Sequence, residues 1–187
     1  MDGCPVDLIF RDILRVTDCV DQTDRGEISM HYQTGHPHAF LNVMYRGELA
    51  SARVLYARDT SFTVLRDRCK IYPPKMREAL ISFFSFEADF SCALAKKALS
   101  QMDRCYIAGH LFRSVSALNQ VLFALNETYC LNEKKAPERI DGFPNAPRDY
   151  QNLAEAILWP KDGDPVSSIR QLEALCKDVK ALLQYCE

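Results

Sequence analysis

Several polar residues stand at spacings that could do chemistry. His36 and His38 form a His-x-His pair in "GHPH", with His31 close behind. Two imidazoles one residue apart can hold a metal if a third ligand joins them, and His31 is the nearest candidate. The competing reading is a Gly-Pro turn that carries polar imidazoles near a pocket. Tyr45, Arg46 and Glu48 follow in "MYRGEL". They read either as a surface Arg–Glu pair or as a Glu48 that faces a cleft. Asn119, Asn126 and Glu133 recur every seven residues, with Tyr129 and Lys134 beside them. One continuous helix would put the three on one face. Asn is a poor helix former, so its repeated use implies either a polar seam between helices or a wall facing an acceptor or phosphate, with Lys134 as a point charge. Asp7 is a single acid inside the apolar run "VDLIF". On residue type alone it is an exposed strand-end acid.

The eight cysteines contain no Cys-x-x-Cys pair, so a zinc framework has no support. Scattered through apolar sequence, they read as reduced, buried small hydrophobes. No basic segment precedes an apolar stretch near Asp2 and Asp7, so a signal peptide is not expected, and a cytoplasmic protein is. No apolar run approaches the roughly 18–20 residues of a membrane span. With a net charge of −2, the chain has no electrostatic footprint for general nucleic-acid binding.

These residues need elements to position them. At 187 residues with 48% hydrophobic content, the chain can bury a substantial core. "CPVDLIFR" reads as a short strand, "EISMHYQ" as a second and "ARVLYA" as a third. Ile13, Val16 and Val20 sit at helical spacing, and Gly26 ends that stretch. Phe40, Val43 and Met44 suggest another helix. "DTSFTVLRDRC" suggests a helix capped by Asp59 or Thr60. From Pro74 to about Gln101 the pattern is helical, with Met76, Leu80, Phe83, Phe84, Phe90 and Leu94 apolar. Asp103 caps a long helix whose Leu111, Val115, Leu118, Leu122, Leu125 and Tyr129 form a narrow packing seam. "RDYQNLAEAILW" is a further helix, and Trp159 before Pro160 reads as a packing anchor. Asp164 and Pro165 open the last helix, with a stripe of Val166, Ile169, Leu172, Cys176, Val179, Leu183 and Cys186. The expected fold class is α+β, mainly α: a small incomplete β-sheet piece over residues 1–72, then a C-terminal helical bundle over 73–187.

Three stretches, "PVDLIFRDILRV", "YQTGHPHAFLNVMYRGELA" and "YPPKMREAL … FALNETYCLNEKKAP", together resemble the second half of bacterial nucleotidyltransferases of the DNA polymerase β-like superfamily. The nearest likeness is to members with a helical C-terminal domain, distantly similar to aminoglycoside nucleotidyltransferases. The family moves a nucleoside monophosphate from a nucleoside triphosphate (NTP) to a hydroxyl of a small molecule or protein, using Mg2+. The resemblance makes Asp7 the third of three metal-binding carboxylates and the catalytic acid of this chain. It also makes His36, His38, Tyr45, Glu48, Asn119, Asn126, Tyr129, Glu133 and Lys134 candidate walls of the nucleotide or acceptor cleft. The Gly-Ser turn and Asp-x-Asp pair that carry the other two carboxylates are not in these residues. The only Asp-x-Asp is Asp162–Asp164, in a helix-start loop. The chain thus looks like a family member that starts about 80–100 residues late, judged from ordinary domain sizes. One carboxylate cannot hold two hard cations, so neither Mg2+ nor NTP is expected to bind tightly to this chain alone. A partner chain or second copy covering the incomplete sheet is expected. The alternative is a non-catalytic interaction module, such as one half of a toxin–antitoxin-like pair.

Overall fold

A computed structural model describes Gly3 and residues 5–185, the side chain of Tyr185 excepted. The chain is mainly helical. Helix α1 (Ile13–Asp24) leads to a two-residue antiparallel ladder, β1 (Met30–His31) with β2 (Phe40–Leu41), in which Met30 faces Leu41 and His31 faces Phe40. Then come α2 (Asn42–Ser51), α3 (Ser61–Cys69), α4 (Pro74–Ala98) with a terminal 3-10 turn (Leu99–Gln101), α5 (Arg104–Leu125), the short α6 (Ala136–Ile140), α7 (Tyr150–Leu158) and α8 (Pro165–Tyr185). This is the mainly α, α+β architecture expected, with a helical bundle after a minimal sheet.

The helix starts follow local chemistry. Asp12 accepts the backbone N–H groups of Leu14 and Arg15 at 2.8 and 3.0 Å. Asp103 accepts that of Tyr106 at 3.1 Å, and Asp164 that of Val166 at 3.0 Å. Each fills orphan donors of a first turn. Asp59 serves Ser61 through both its N–H and its hydroxyl.

Helix α5 is the axis of the bundle. Every residue from Ser114 to Leu125 is buried, because α4, α6, α7 and α8 all pack on it. The expected narrow seam is therefore one side of a helix enclosed all round, and Tyr129 lies beyond its end. Its buried polar groups find partners: Ser114 donates to the Ala88 carbonyl at 2.8 Å, and Asn119 accepts from the Tyr150 hydroxyl at 2.8 Å. On α4 the core face is Met76, Leu80, Phe84, Ala88, Ser91, Cys92 and Ala95. Phe83 and Phe90, which belong to the apolar pattern of this helix, are exposed. The inner positions, Phe84 among them, follow one stripe at spacings of three and four, and Phe83 and Phe90 fall to its side.

Two expected strands do not form. Residues 5–11 form no helix or strand, with Val6, Leu8, Ile9 and Phe10 all exposed. Residues 52–57 are irregular, with Leu55 and Tyr56 exposed. A short apolar run needs a neighbouring strand to become a strand, and none lies alongside either segment among the described residues. Trp159 is also no packing anchor: it is 85% exposed, because α7 ends at Leu158 and Pro160 blocks its continuation. Cys19, Cys69, Cys92, Cys130 and Cys176 are buried free thiols as expected, but Cys105 is exposed. Cys4 and Cys186 lie outside the described residues.

Arg46 is the largest fully buried side chain that carries charge, not half of a surface pair with Glu48. Its Nε donates to the Tyr129 hydroxyl at 3.1 Å. Nη1 reaches the Val20 carbonyl, Thr23 Oγ1 and Asp24 Oδ1 at 3.3, 3.2 and 2.6 Å. Nη2 donates to the carbonyls of Arg68 and Ile71, both at 3.1 Å. One guanidinium thus ties α1, the end of α3 and the segment after α5 to α2. Burial raises the Asp24 carboxyl, but hydrogen bonds and charge from Arg68 and Arg46 outweigh it and hold the group below the usual carboxylate range. Replacement Arg46→Met is expected to cost about 3–5 kcal/mol, since Asp24 and several buried carbonyls lose their donors. Arg46→Lys is expected to recover little, because a three-donor ammonium cannot span both sides. Urea unfolding of the two variants against the parent measures this, and a loss below about 1 kcal/mol for Arg46→Met would contradict the reading.

Candidate functional site

The sequence-selected residues fall into one cluster and several separate structural roles. The cluster forms where the loop 33–39 meets the segment after α5. Gly47 makes this meeting possible: a Cβ there would lie 2.5 Å from Leu131 Cδ2 and 2.7 Å from Tyr129 Cβ. The Tyr129 hydroxyl, which accepts from Arg46, donates to the Cys69 carbonyl at 2.8 Å. With the segment so anchored, Glu133 reaches the loop. Its Oε1 accepts the backbone N–H of His38 at 3.0 Å and of Ala39 at 3.4 Å. Its Oε2 lies 3.4 Å from His36 Nδ1. The His36 ring packs edge-on against Phe40 at 5.2 Å, and His31 stacks at a tilt on the same ring.

His38 extends the cluster towards α4 and α5. Its ring sits 6.3 Å from Phe84 and faces Glu87 and Arg113, which pair with each other. Burial lowers the affinity of His38 for a proton, and the Arg113 charge adds to this; Glu133 and Glu87 oppose it. His110, edge-on to Tyr106 at 4.4 Å, is lowered by burial and then by Arg113. The result is a strip of His36, Glu133, His38, Arg113, Glu87 and His110 across four segments. Burial and the Arg113 charge favour the neutral form of the His38 and His110 imidazoles within it.

The other candidates do not join it. Glu48 forms a bidentate pair with Arg11, with contacts at 2.9 and 2.6 Å. The Arg11 guanidinium covers Tyr45 at 5.2 Å and Phe40 at 5.6 Å, so Tyr45 is buried beneath it and faces no cleft. Asn119 serves Tyr150, as described. The helix does not continue through Asn126 to Glu133, so the shared face expected for the three residues does not exist. Asn126 is the C-cap of α5. Its side chain donates to the carbonyls of Leu122 and Asn145 at 2.7 and 2.9 Å and accepts from the Asn145 N–H at 3.0 Å. Lys134 is exposed.

Asp7 is exposed on the unpaired segment, and no hydrogen bond or ion pair joins it to another described residue. Among the described residues no group of three His, Cys, Asp or Glu side chains could hold a metal ion. The His36–His38–His31 reading therefore has no third ligand in place. Asp7 alone also does not fit a magnesium site, which takes six oxygens in near-octahedral order.

Sequence reasoning missed Arg46 as a hub, although a single Arg inside the apolar stretch "NVMYRGEL" was a usable signal. Glu87, Arg113 and His110 gave no signal, because their proximity depends on how α4 and α5 pack. A separate cavity of about 980 Å³ opens between the end of α7 and the start of α8, bordered by Trp159, Lys161, Asp162 and Gln171. None of the sequence-selected site residues lines it. No family model, curated protein or solved structure matches the chain.

His38 and His110 take protons less readily folded than unfolded. Between their folded and unfolded pKa values the unfolded chain binds more protons, so stability falls as pH drops below about 6.5. His38→Gln is expected to flatten this slope between pH 7 and 5, measured by urea unfolding at each pH. An unchanged slope in both His38→Gln and the double variant with His110→Gln would contradict the burial argument.

Proposed function

We propose that this chain is the helical part of a nucleotidyltransferase-like protein, catalytically incomplete by itself, that presents Asp7 to a segment supplying the other metal-binding carboxylates. The observation that carries the proposal is the state of residues 5–11. A segment of strand-like composition that pairs with no strand among the described residues and exposes four apolar side chains fits a strand lacking its sheet. Arg11 roots this segment on α2 through Glu48 and Tyr45, so its base is fixed while its length is uncovered. With the missing turn and Asp-x-Asp pair alongside, Asp7 would complete the ligand set for Mg2+ or accept the proton of the attacking hydroxyl. Substrates would be an NTP and a hydroxyl-bearing small molecule or protein. The free thiols and the absence, among the described residues, of a helix long and apolar enough to cross a membrane accord with a cytoplasmic setting.

A second reading, the non-catalytic interaction module, is favoured by a different observation. Glu48, Asn119, Asn126, Tyr129 and Glu133 are all engaged in internal bonds. In this reading the apolar segment is a docking arm.

The chain alone, given Mg2+, labelled NTPs and hydroxyl acceptors, is expected to incorporate no more label than its Asp7→Asn variant. Fused behind a segment carrying the Gly-Ser turn and Asp-x-Asp, it is expected to transfer nucleotide, with a loss of at least about 100-fold on Asp7→Asn. A folded fusion that stays inactive, together with a protein partner whose binding is abolished by Leu8→Asp, would replace the first reading with the second.

A further inference from the structure

The packing of α8 on α4 has a register that can be read from its ion pairs. Lys96 Nζ lies 2.7 Å from Glu173 Oε1, and Lys180 Nζ lies 2.6 Å from Asp89 Oδ2. Residue number rises along α4 as it falls along α8, so the helices run antiparallel. The two pairs stand seven residues apart on each helix. Midway between them are Cys92 on α4 and Cys176 on α8, at the positions that this register sets opposite each other. Both are free and buried, at 6% and 5% exposure, and each thiol shifts the proton affinity of the other.

We infer that Cys92 and Cys176 are a redox-modifiable pair, which a small hydroperoxide converts to a disulfide that staples α8 to α4. Three features favour it. The ion pairs on either side mark a register that sets the two cysteines opposite each other, so pairing them needs no sliding of the helices. The buried residues next to Cys92 on α4 are Ala88, Ser91 and Ala95, small side chains that leave room around its sulfur for the geometry a disulfide needs. The thiols also support one another chemically. The neighbouring Cys176 favours loss of the first proton at Cys92, whereas the neighbouring Cys92 and burial push the Cys176 thiol up.

The chemistry balances with the hydroperoxide as the two-electron oxidant. The Cys92 thiolate attacks the outer peroxide oxygen. The O–O bond breaks, an alcohol (water, for hydrogen peroxide) leaves, and a sulfenic acid forms. The Cys176 sulfur then attacks the sulfenic sulfur. The S–S bond forms as the S–O bond breaks, and the departing hydroxide takes the thiol proton and leaves as water. Only a small oxidant suits so enclosed a pair. The exposed Cys105 is paired with no other cysteine among the described residues and serves as an internal reference.

The full chain is treated with hydrogen peroxide, quenched with an alkylating agent under denaturing conditions, and mapped by mass spectrometry without reduction. The expected product is a peptide linking Cys92 to Cys176 within one chain, while Cys105 yields sulfenic or higher oxides. Oxidised protein is expected to melt about 5 °C or more above reduced protein, and the difference to vanish in Cys176→Ala. Reduction should restore the original melting temperature. Recovery of Cys92 and Cys176 only as alkylated thiols or unlinked oxides, under conditions that oxidise Cys105, would overturn the inference. So would a linked peptide with no change in melting temperature, because the bond would not then staple the folded helices.

Discussion

The buried guanidinium of Arg46 is the constraint on which the rest of this architecture depends. Its five donors face acceptors from α1, the end of α3 and the segment after α5. A buried charge is tolerated only when paired and fully hydrogen-bonded, so these elements must assemble together. Arg68 extends the arrangement by bonding Asp24, which already accepts from Arg46, as well as Asp21. The network joins residues from α1, α2 and α3 to Tyr129 in the segment after α5.

From this hub the candidate site follows by position. Tyr129 is fixed by Arg46 and Cys69, and Gly47 lets its segment lie against α2. Glu133, four residues on, then meets two backbone N–H groups of the loop 33–39 and the ring of His36. The loop in turn sets His38 beside Arg113 and Glu87. The polar strip is thus a consequence of how the chain closes on itself, and its carboxylate serves structure as much as it could serve a ligand.

The apolar segment 5–11 is the opposite case. It carries the residues of a strand but has no neighbour, and its exposed Val6, Leu8, Ile9 and Phe10 contrast with a well-filled interior. An uncovered face of this kind calls for a covering surface, which is the physical basis common to both functional readings. The difference between them lies in whether Asp7 gains carboxylate neighbours when that surface arrives.

The sequence alone determined the longer helices, because their signals are local, whereas the short α6 lies in a stretch that reads as a Pro/Gly-rich loop. Asp12, Asp103 and Asp164 cap starts, Pro74 and Pro165 stand in first turns, and apolar periodicity runs along α1, α5 and α8. A predominance of helix over a minimal sheet was legible for the same reason. Strands were not, because "VDLIF" and "ARVLYA" have strand composition but a strand exists only with a partner. The site residues were legible as polar residues in unusual places, but not as roles. Glu133 and Asn126 were set apart by the end of α5 at Leu125, and Arg46 was drawn inward by acceptors from three distant segments. Cys92 and Cys176, in separate helices, became a pair only through the antiparallel register of α4 and α8. In each case the deciding contact joins residues far apart in the chain, and only tertiary packing brings such partners together.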